Sequence, residues 1–212
     1  MLETIIRKDA SKEWIWPKGD RILWDSCQAA WPQIKNKYLK YTKKQDLIVQ
    51  AGGAAGYYPF HLASIFGTVL TFEPDLLNFH CLDQNCQAEN IIKANAALGS
   101  TMRQVGIRRD CLENAGENRI TEKGDISMLK IDDLPLSACD CIHLDTEGYE
   151  YDALVGAAET LKRFAPTLIL EGTNAKIREF VREFGYVERE TVDIDTIYTP
   201  SLLDADGRLL KW

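Results

Sequence analysis

A long apolar run is what the sequence most clearly lacks. The opening residues, MLETIIRKDASKEW, mix charges with short apolar pairs where a signal peptide carries an apolar core, and no later stretch reaches membrane-spanning length. A soluble, cytoplasmic protein is expected. Paired C-x-x-C knuckles are missing as well. The cysteines are scattered, with one residue between Cys139 and Cys141 and four between Cys81 and Cys86, so no structural zinc site is expected and reduced, mostly buried thiols are. Positive charge is also short. A net charge of −7 argues against a general nucleic-acid binder, which needs a clustered excess of lysine and arginine against phosphate. The shortage is uneven: residues 1–46 carry ten Lys/Arg against six Asp/Glu, whereas residues 131–161 carry eight acids and no Lys or Arg.

What is present suffices for one domain. At 212 residues and 45% hydrophobic content the chain can bury a proper core but would cramp a second full domain. Periodicity alternates between element types. GDRILWDSCQAAWPQIKNKYLKYTKK reads as one or two helices, with Asp20 as N-cap and Pro32 in the first turn of the second piece. Residues 47–50 read as a short buried strand, 57–66 as a helix and 68–72 as a strand. LLNFHCLDQNCQAEN reads as a helix, IIKANAA as a strand, residues 99–124 as an irregular polar stretch and DISMLKI as a strand. CDCIHLD is a further buried strand, EYDALVGAAETLKRF a helix, TLILE a strand and NAKIREFVREFG a helix. Residues 186–192 and 196–199 are strand-like and too close for a crossover helix, so they should pair antiparallel. Strands separated by helices imply an α/β, doubly wound, mostly parallel sheet, whose ligands sit outside the carboxyl ends of the strands.

One such end is LIVQAGGAAGYYPF, residues 47–60. Gly52, Gly53 and Gly56, with alanines between them, leave almost no side chain between strand and helix, so a ligand could touch backbone N–H groups there. Alone this could equally be a tight turn with close helix packing. Glu73, about 20 residues beyond the turn at the end of the next strand, is where a ribose diol is held, and the pair suggests an adenosine-containing ligand. Ala51-x-Gly53-x-x-Gly56 is one methyl away from the dinucleotide fingerprint, and Gly52-x-Ala54-x-Gly56 resembles the looser turn of class I methyltransferases. A dehydrogenase would need a second mononucleotide half and a substrate domain for which 212 residues leave little space.

Read together, VLTFEPDLLNFHCLDQN (residues 69–85) and LPLSACDCIHLDTEGYEYDALVGAAETLKRFAPTLILE (residues 134–171) resemble the FkbM family of S-adenosylmethionine-dependent methyltransferases, especially its phage-associated members. The shared features are a glycine turn, an F-E-P strand end, an Asn some twelve residues on and a D-x-E-G-x-E segment leading into a helix. The resemblance covers roughly residues 47–199. It implies a class I methyltransferase, Rossmann-like fold that methylates a hydroxyl of a sugar or natural product. By position Gly52 and Gly56 would face the methionine part of the cofactor, Glu73 the ribose, and Asn95, Ala96 and Ala97 the adenine edge. The family's usual Asp at the first strand end is Gln50 here, and its usual Asn in the turn is Ala54. An amide for an anion removes an attraction for the cofactor's ammonium group, although it still donates and accepts hydrogen bonds.

Three groups of residues bear on catalysis. His143 shares a strand face with Asp145 by alternation, which suits a general base oriented by a carboxylate, and is equally a histidine packed inside a parallel sheet. Asp145, Glu147 and Glu171 come from adjacent strand ends and could hold one Mg²⁺-like ion that acidifies a hydroxyl. Against that, Glu147 and Glu150 would cap the following helix, the preferred role for Glu147. Asp145 is the best single catalytic candidate. Trp14, Trp16, Trp24 and Trp31 are either a lid over the substrate or buried staples fixing an added helix, and the lysines between Lys35 and Lys44 read as a solvated helix face.

The sequence therefore predicts a helical extension over residues 1–46, with a possible lid function, and a methyltransferase domain over 47–212. The expected reaction is methyl transfer from S-adenosylmethionine to a saccharide or other small hydroxyl acceptor, with no nucleic-acid partner and with Mg²⁺ as an optional cofactor. A non-catalytic accessory module, motivated by Gln50 and Ala54, and a nicotinamide-dependent oxidoreductase are the alternatives.

Overall fold

The computed structural model describes residues 3–111 and 113–201. Residues 1–2, 112 and 202–212, the last of which end the expected 47–212 domain, lie outside the described residues. The chain begins with an antiparallel hairpin, β1 (Thr4–Lys8) and β2 (Glu13–Pro17), followed by one helix, α1 (Leu23–Tyr41). The segment expected to be a helical extension is thus partly β. In EWIWP the tryptophans alternate with Glu13 and Ile15, and both rings are fully buried, which is strand and not helix periodicity. Pro32 does not divide α1 but lies within it, at the cost of one helical hydrogen bond. The cap position is Ile22 and not the expected Asp20, but Asp20, two residues before it, still serves the first turn: its carboxylate accepts from the Leu23 N–H at 3.2 Å and the Trp24 N–H at 3.1 Å.

The next elements are β3 (Leu47–Ala51), α2 (Tyr57–Leu62), β4 (Thr68–Phe72), α3 (Leu76–Asn85) and β5 (Ile91–Ala94). A small separate sheet follows, made of β6 (Ala97–Leu98), β7 (Arg103–Arg109) and β8 (Asn118–Leu129). The chain then adds β9 (Cys141–Leu144), α4 (Glu150–Val155), α5 (Ala158–Phe164), β10 (Thr167–Glu171), α6 (Ala175–Glu183), β11 (Tyr186–Val192) and β12 (Asp195–Pro200). The main sheet runs β5-β4-β3-β9-β10-β12-β11. Its strands are parallel from β5 to β10, and β12 is antiparallel to both β10 and β11. This is the expected doubly wound sheet with a terminal antiparallel pair, and its order reverses between β3 and β9.

Three local differences shape the site. The stretch 99–124, expected to be irregular, holds β7 and the start of β8, whose pairing the many charged residues on both faces conceal in the sequence. The strand expected over IIKANAA ends at Ala94, and Ala97–Leu98 crosses to pair with β8. The single helix expected over residues 150–164 is two, because Asp132 caps α5 by accepting from the Glu159 N–H at 3.0 Å and the Thr160 N–H at 2.8 Å.

Alternation along the strands divides the core. Val49, Ala51, Ile142, Leu144, Leu168 and Leu170 belong to the cluster shared with α4, α5 and α6. Ile48, Val69, Cys141, Ile169 and Ile197 belong to the cluster shared with the hairpin, α1 and α2. The N-terminal tryptophans lie in that second cluster. Trp14 stacks on Tyr57 with centroids 5.1 Å apart and meets Trp24 edge-on at 6.3 Å, so they staple the hairpin to α2. The lysine-bearing face of α1 is not simply solvated, since Lys37 and Lys40 both pair with Glu190 of β11, at 2.6 and 3.0 Å.

Candidate functional site

The carboxyl ends of β3, β4, β9 and β10 open into one cleft with two parts. A narrow slot runs between Gly52, Glu73, Pro74, Ala97, Asn118 and Asp145. A larger cavity of about 380 Å³ lies between the strand ends and α1, walled by Cys27, Ala30, Tyr58, Asp145, Glu171 and Asp195. Both parts share Gly52, Glu73, Gly116, Asp145 and Glu147, so a ligand in the slot faces one in the cavity across Asp145.

The glycine turn is built by close approach. Gly52 has φ +83°, and a Cβ there would lie 1.9 Å from the Asp145 carbonyl oxygen, so only glycine lets β3 and β9 end side by side. Gly53 and Gly56 serve packing instead. A Cβ on the first would meet Leu82 and Thr71, and one on the second Cys86 and Leu82, so both press the turn onto α3. Neither lines the cleft, whereas Gly52 lines both parts. The turn's N–H groups are spent internally: those of Gly52 and Gly53 donate to the Phe72 carbonyl at 3.1 and 3.0 Å, that of Ala54 to Glu73 at 2.7 Å, and that of Gly56 to Gly53 at 2.9 Å. The N–H groups expected to meet a ligand are thus bonded within the protein, and Gly52 is the glycine of the turn that lines the cleft.

Glu73 lies at the end of β4 and is 4% exposed. One carboxylate oxygen accepts from the Ala54 N–H at 2.7 Å and the other from the Asp75 N–H at 2.7 Å. Burial pushes its carboxyl up to about 8 against these two donors. Each oxygen keeps a second acceptor site, and Glu73 lines both parts of the cleft, which suits a vicinal diol. Asp75 caps α3 through the Leu77 and Asn78 N–H groups and receives Arg109 of β7 in a bidentate pair, at 2.7 and 2.8 Å, so the small sheet is tied to the Glu73 end.

At the other end Asp145, Glu147 and Glu171 place carboxylate oxygens within 4.8 Å of one another. Burial and the adjacent Glu171 push Asp145 well up, and burial followed by Glu171 pushes Glu147 up to about 7. Asp195, partly buried beside Glu171, rises to about 7 through desolvation and the Glu171 charge. Neither Glu147 nor Glu150 caps α4 as expected, since the cap position is Tyr149 and makes no side-chain cap bond; Glu150 instead closes the turn ahead of the helix, its carboxylate accepting from the Thr146 N–H at 2.8 Å, the Thr146 hydroxyl at 2.9 Å and the Gly148 N–H at 3.2 Å. Glu147 has φ +52°, a costly conformation for a residue with a Cβ, and lines both parts of the cleft.

Three other expected site residues sit outside the cleft wall. His143 is 1% exposed and accepts or donates at Nδ1 to the Tyr38 hydroxyl at 2.7 Å, while its Nε2 is unpartnered 4.0 Å from Asp195. Burial holds it down at about 4, a neutral ring packed inside the sheet. Gln50 is fully buried; it accepts from the Thr71 hydroxyl at 2.5 Å and donates to the Gly52 carbonyl at 2.9 Å, bracing the turn. Asn95 donates to the carbonyls of Glu73 and Pro74, at 2.8 and 3.0 Å, and so holds the strand end. Ala96 and Ala97 do line the slot. Sequence reasoning missed Asn118 and Gly116, hidden in the stretch read as irregular. It also missed the small face of α1 at Ser26, Cys27, Ala29 and Ala30, and Asp193 and Asp195 in the last turn. Small residues four apart on α1 were the only available signal.

The Gly52 approach, the Glu73 carboxylate and the alanine-lined slot fit S-adenosylmethionine, and the comparisons agree. The methyltransferase FkbM domain model matches residues 50–188. A search of curated proteins returns no match. Among solved structures, a methyltransferase FkbM from Methylobacillus flagellatus KT is 18% identical with a TM-score of 0.52, over 73% of this chain and 43% of that one. The present chain thus spans less than half the length of that relative. A tRNA (uracil-54, C5)-methyltransferase of Pyrococcus abyssi, solved with S-adenosyl-L-homocysteine, is 11% identical with a TM-score of 0.53, over 93% and 44% of the chains. The precorrin-6y C5,15-methyltransferase of Geobacter metallireducens GS-15 is 12% identical with a TM-score of 0.50, over 78% and 85%. At such identities the likeness shows the fold, that of class I S-adenosylmethionine-dependent methyltransferases. With about two thirds of its length matched by the family model, the chain belongs to the FkbM methyltransferase family.

Proposed function

We propose that the chain is an O-methyltransferase that uses S-adenosylmethionine and acts on a saccharide or another small hydroxyl acceptor. The observation that carries this reading is the position of Asp145, a carboxylate at the junction where the slot opens into the larger cavity. Glu73 would hold the ribose in the slot and Ala96 and Ala97 the adenine edge. The cofactor, when bound, supplies an electrophilic methyl group on a sulfonium. The cavity orients the acceptor hydroxyl toward the junction, which replaces a bimolecular encounter by a positioned one. Asp145, in its ionised form, takes the hydroxyl proton. His143, one strand residue pair behind it, supports the β9 end through Tyr38. Gln50 braces the turn, so replacing the family's Asp removes no charge from the cleft wall, which weakens the case for a non-catalytic module.

A second reading concerns the ion. Asp145, Glu147 and Glu171 offer oxygen ligands in the kind of set Mg²⁺ takes, and an ion there would acidify the hydroxyl in place of direct proton removal. Membership of the phage-associated branch and a cytoplasmic location belong to this proposal too. The test is release of S-adenosylhomocysteine with a panel of saccharide and catechol acceptors. Asp145→Asn should lower turnover by roughly 10²–10⁴-fold while leaving S-adenosylhomocysteine affinity in place. Loss with EDTA and recovery with Mg²⁺ would select the ion, and full activity of Asp145→Asn would remove both routes.

A further inference from the structure

The slot holds an unused hydrogen-bond acceptor. Asn118, the first residue of β8, lines the slot together with Ala97, and its Oδ1 is buried with no partner. Among the described residues it is the one such orphaned side-chain atom that belongs to the cleft wall. The orientation of the amide is settled by its other end: Nδ2 donates to the Ala115 carbonyl at 3.0 Å, which leaves Oδ1 facing away as an acceptor. The backbone holds it too, the Asn118 N–H donating to the Gly116 carbonyl at 2.8 Å.

The surroundings are rigid and otherwise apolar. Asn118 and Ile120 fall on one face of β8, and Ile120 packs on the cluster of Ala97, Val105 and Met128. Asn118 pairs in register with Arg109, whose guanidinium grips Asp75 beside Glu73. One strand pair thereby fixes the distance between the ribose end of the slot and Asn118. The residues expected at the adenine edge, Ala96 and Ala97, carry no polar side-chain atom, and Asn95 is spent on backbone carbonyls. A buried acceptor without a partner is unfavourable by itself and is relieved by a ligand that brings a donor.

We propose that Asn118 is the adenine-specificity residue of this chain, its Oδ1 accepting from the exocyclic amine of the cofactor's base. This rests on the reading of the slot as the cofactor site. A 6-oxo base in the same place would set a carbonyl against the Asn118 carbonyl, leaving both without a donor.

Calorimetric titration of the protein with S-adenosylhomocysteine and with its deaminated analogue, S-inosylhomocysteine, tests this without any acceptor. The wild type should prefer the adenine ligand by about tenfold or more, the scale of one hydrogen bond with its partner left unpaired. Asn118→Leu should cut that preference to about two- or threefold by weakening the adenine ligand alone. A thermal melt of the variant checks that it folds. A preference unchanged in Asn118→Leu, or both ligands weakened equally, overturns the assignment while leaving the methyltransferase reading intact. Binding of neither ligand to the wild type overturns both.

Discussion

Replacing Gly52 by alanine tests the architecture of the cleft at its tightest point. The added Cβ would lie 1.9 Å from the Asp145 carbonyl oxygen and 3.0 Å from its carbon, atoms of the main chain that no rotamer change can move. Relief requires β3 and β9 to separate, which strains the bond from the Asp145 N–H to the Ala51 carbonyl at 3.2 Å. The φ of +83° adds about 1–2 kcal/mol for any residue with a Cβ. Overpacking adds about 1–3 kcal/mol, and weakening one buried backbone hydrogen bond about 1 kcal/mol. The expected loss is therefore about 3–6 kcal/mol, a large part of a typical domain's stability. Gly148→Ala is the control. Its φ is +101°, yet nothing lies within 4 Å of the added carbon, so it should cost only the backbone share of about 1–2 kcal/mol. Urea unfolding followed by tryptophan fluorescence reads both variants, since Trp14, Trp16, Trp24 and Trp31 are buried. Equal losses in the two variants would refute the close approach of the strand ends.

Two further outcomes follow from backbone strain and burial. Ala54 has φ +44°, so Ala54→Gly should raise unfolding stability by about 0.5–1 kcal/mol, the relief of the left-handed conformation less the added entropy of the unfolded chain; a destabilised variant would contradict this. His143 has its folded pKa held at about 4 by burial, below the ordinary 6.5, with Tyr38 and Asp195 facing the ring. The unfolded chain then binds the extra proton between about pH 6.5 and 4, so the histidine's contribution is present above 6.5 and lost as pH falls through that window, by roughly 3 kcal/mol in all. Comparing urea midpoints of wild type and His143→Gln across pH 4–7 should show a shallower acid decline in the variant, and parallel curves would speak against a buried neutral ring.

The parts of the fold that alternate apolar strand with amphipathic helix were legible in the chain. LIVQA, TVLTF, CIHL and TLILE are buried on both faces and could be read as parallel strands without long-range knowledge. Gly52, Glu73 and Asp145 were legible for the same reason, since they stand where those strands end. The hairpin at Trp14 and Trp16 was not, because two large apolar rings next to a long helix look like more helix until their alternation is weighed. Asn118 was hidden by its neighbours: NRITEKGD carries charge on both faces of a strand that covers a cleft and not a core. Glu147 and Glu150 could not be separated by spacing. Which of them closes the turn depends on the left-handed Glu147 and Gly148, a backbone detail two residues long.

Isothermal titration of S-adenosylhomocysteine into the wild type and Glu73→Ala, with NAD as competitor, tests the central claim most directly. At pH 9, above the value of about 8 to which burial raises Glu73, the account predicts one site on the wild type, no displacement by NAD, and a loss of about 1.5–3 kcal/mol in Glu73→Ala, roughly ten- to a hundredfold, for the hydrogen bonds of a diol to a carboxylate. Unchanged affinity in Glu73→Ala, or binding of NAD in preference to S-adenosylhomocysteine, would contradict it.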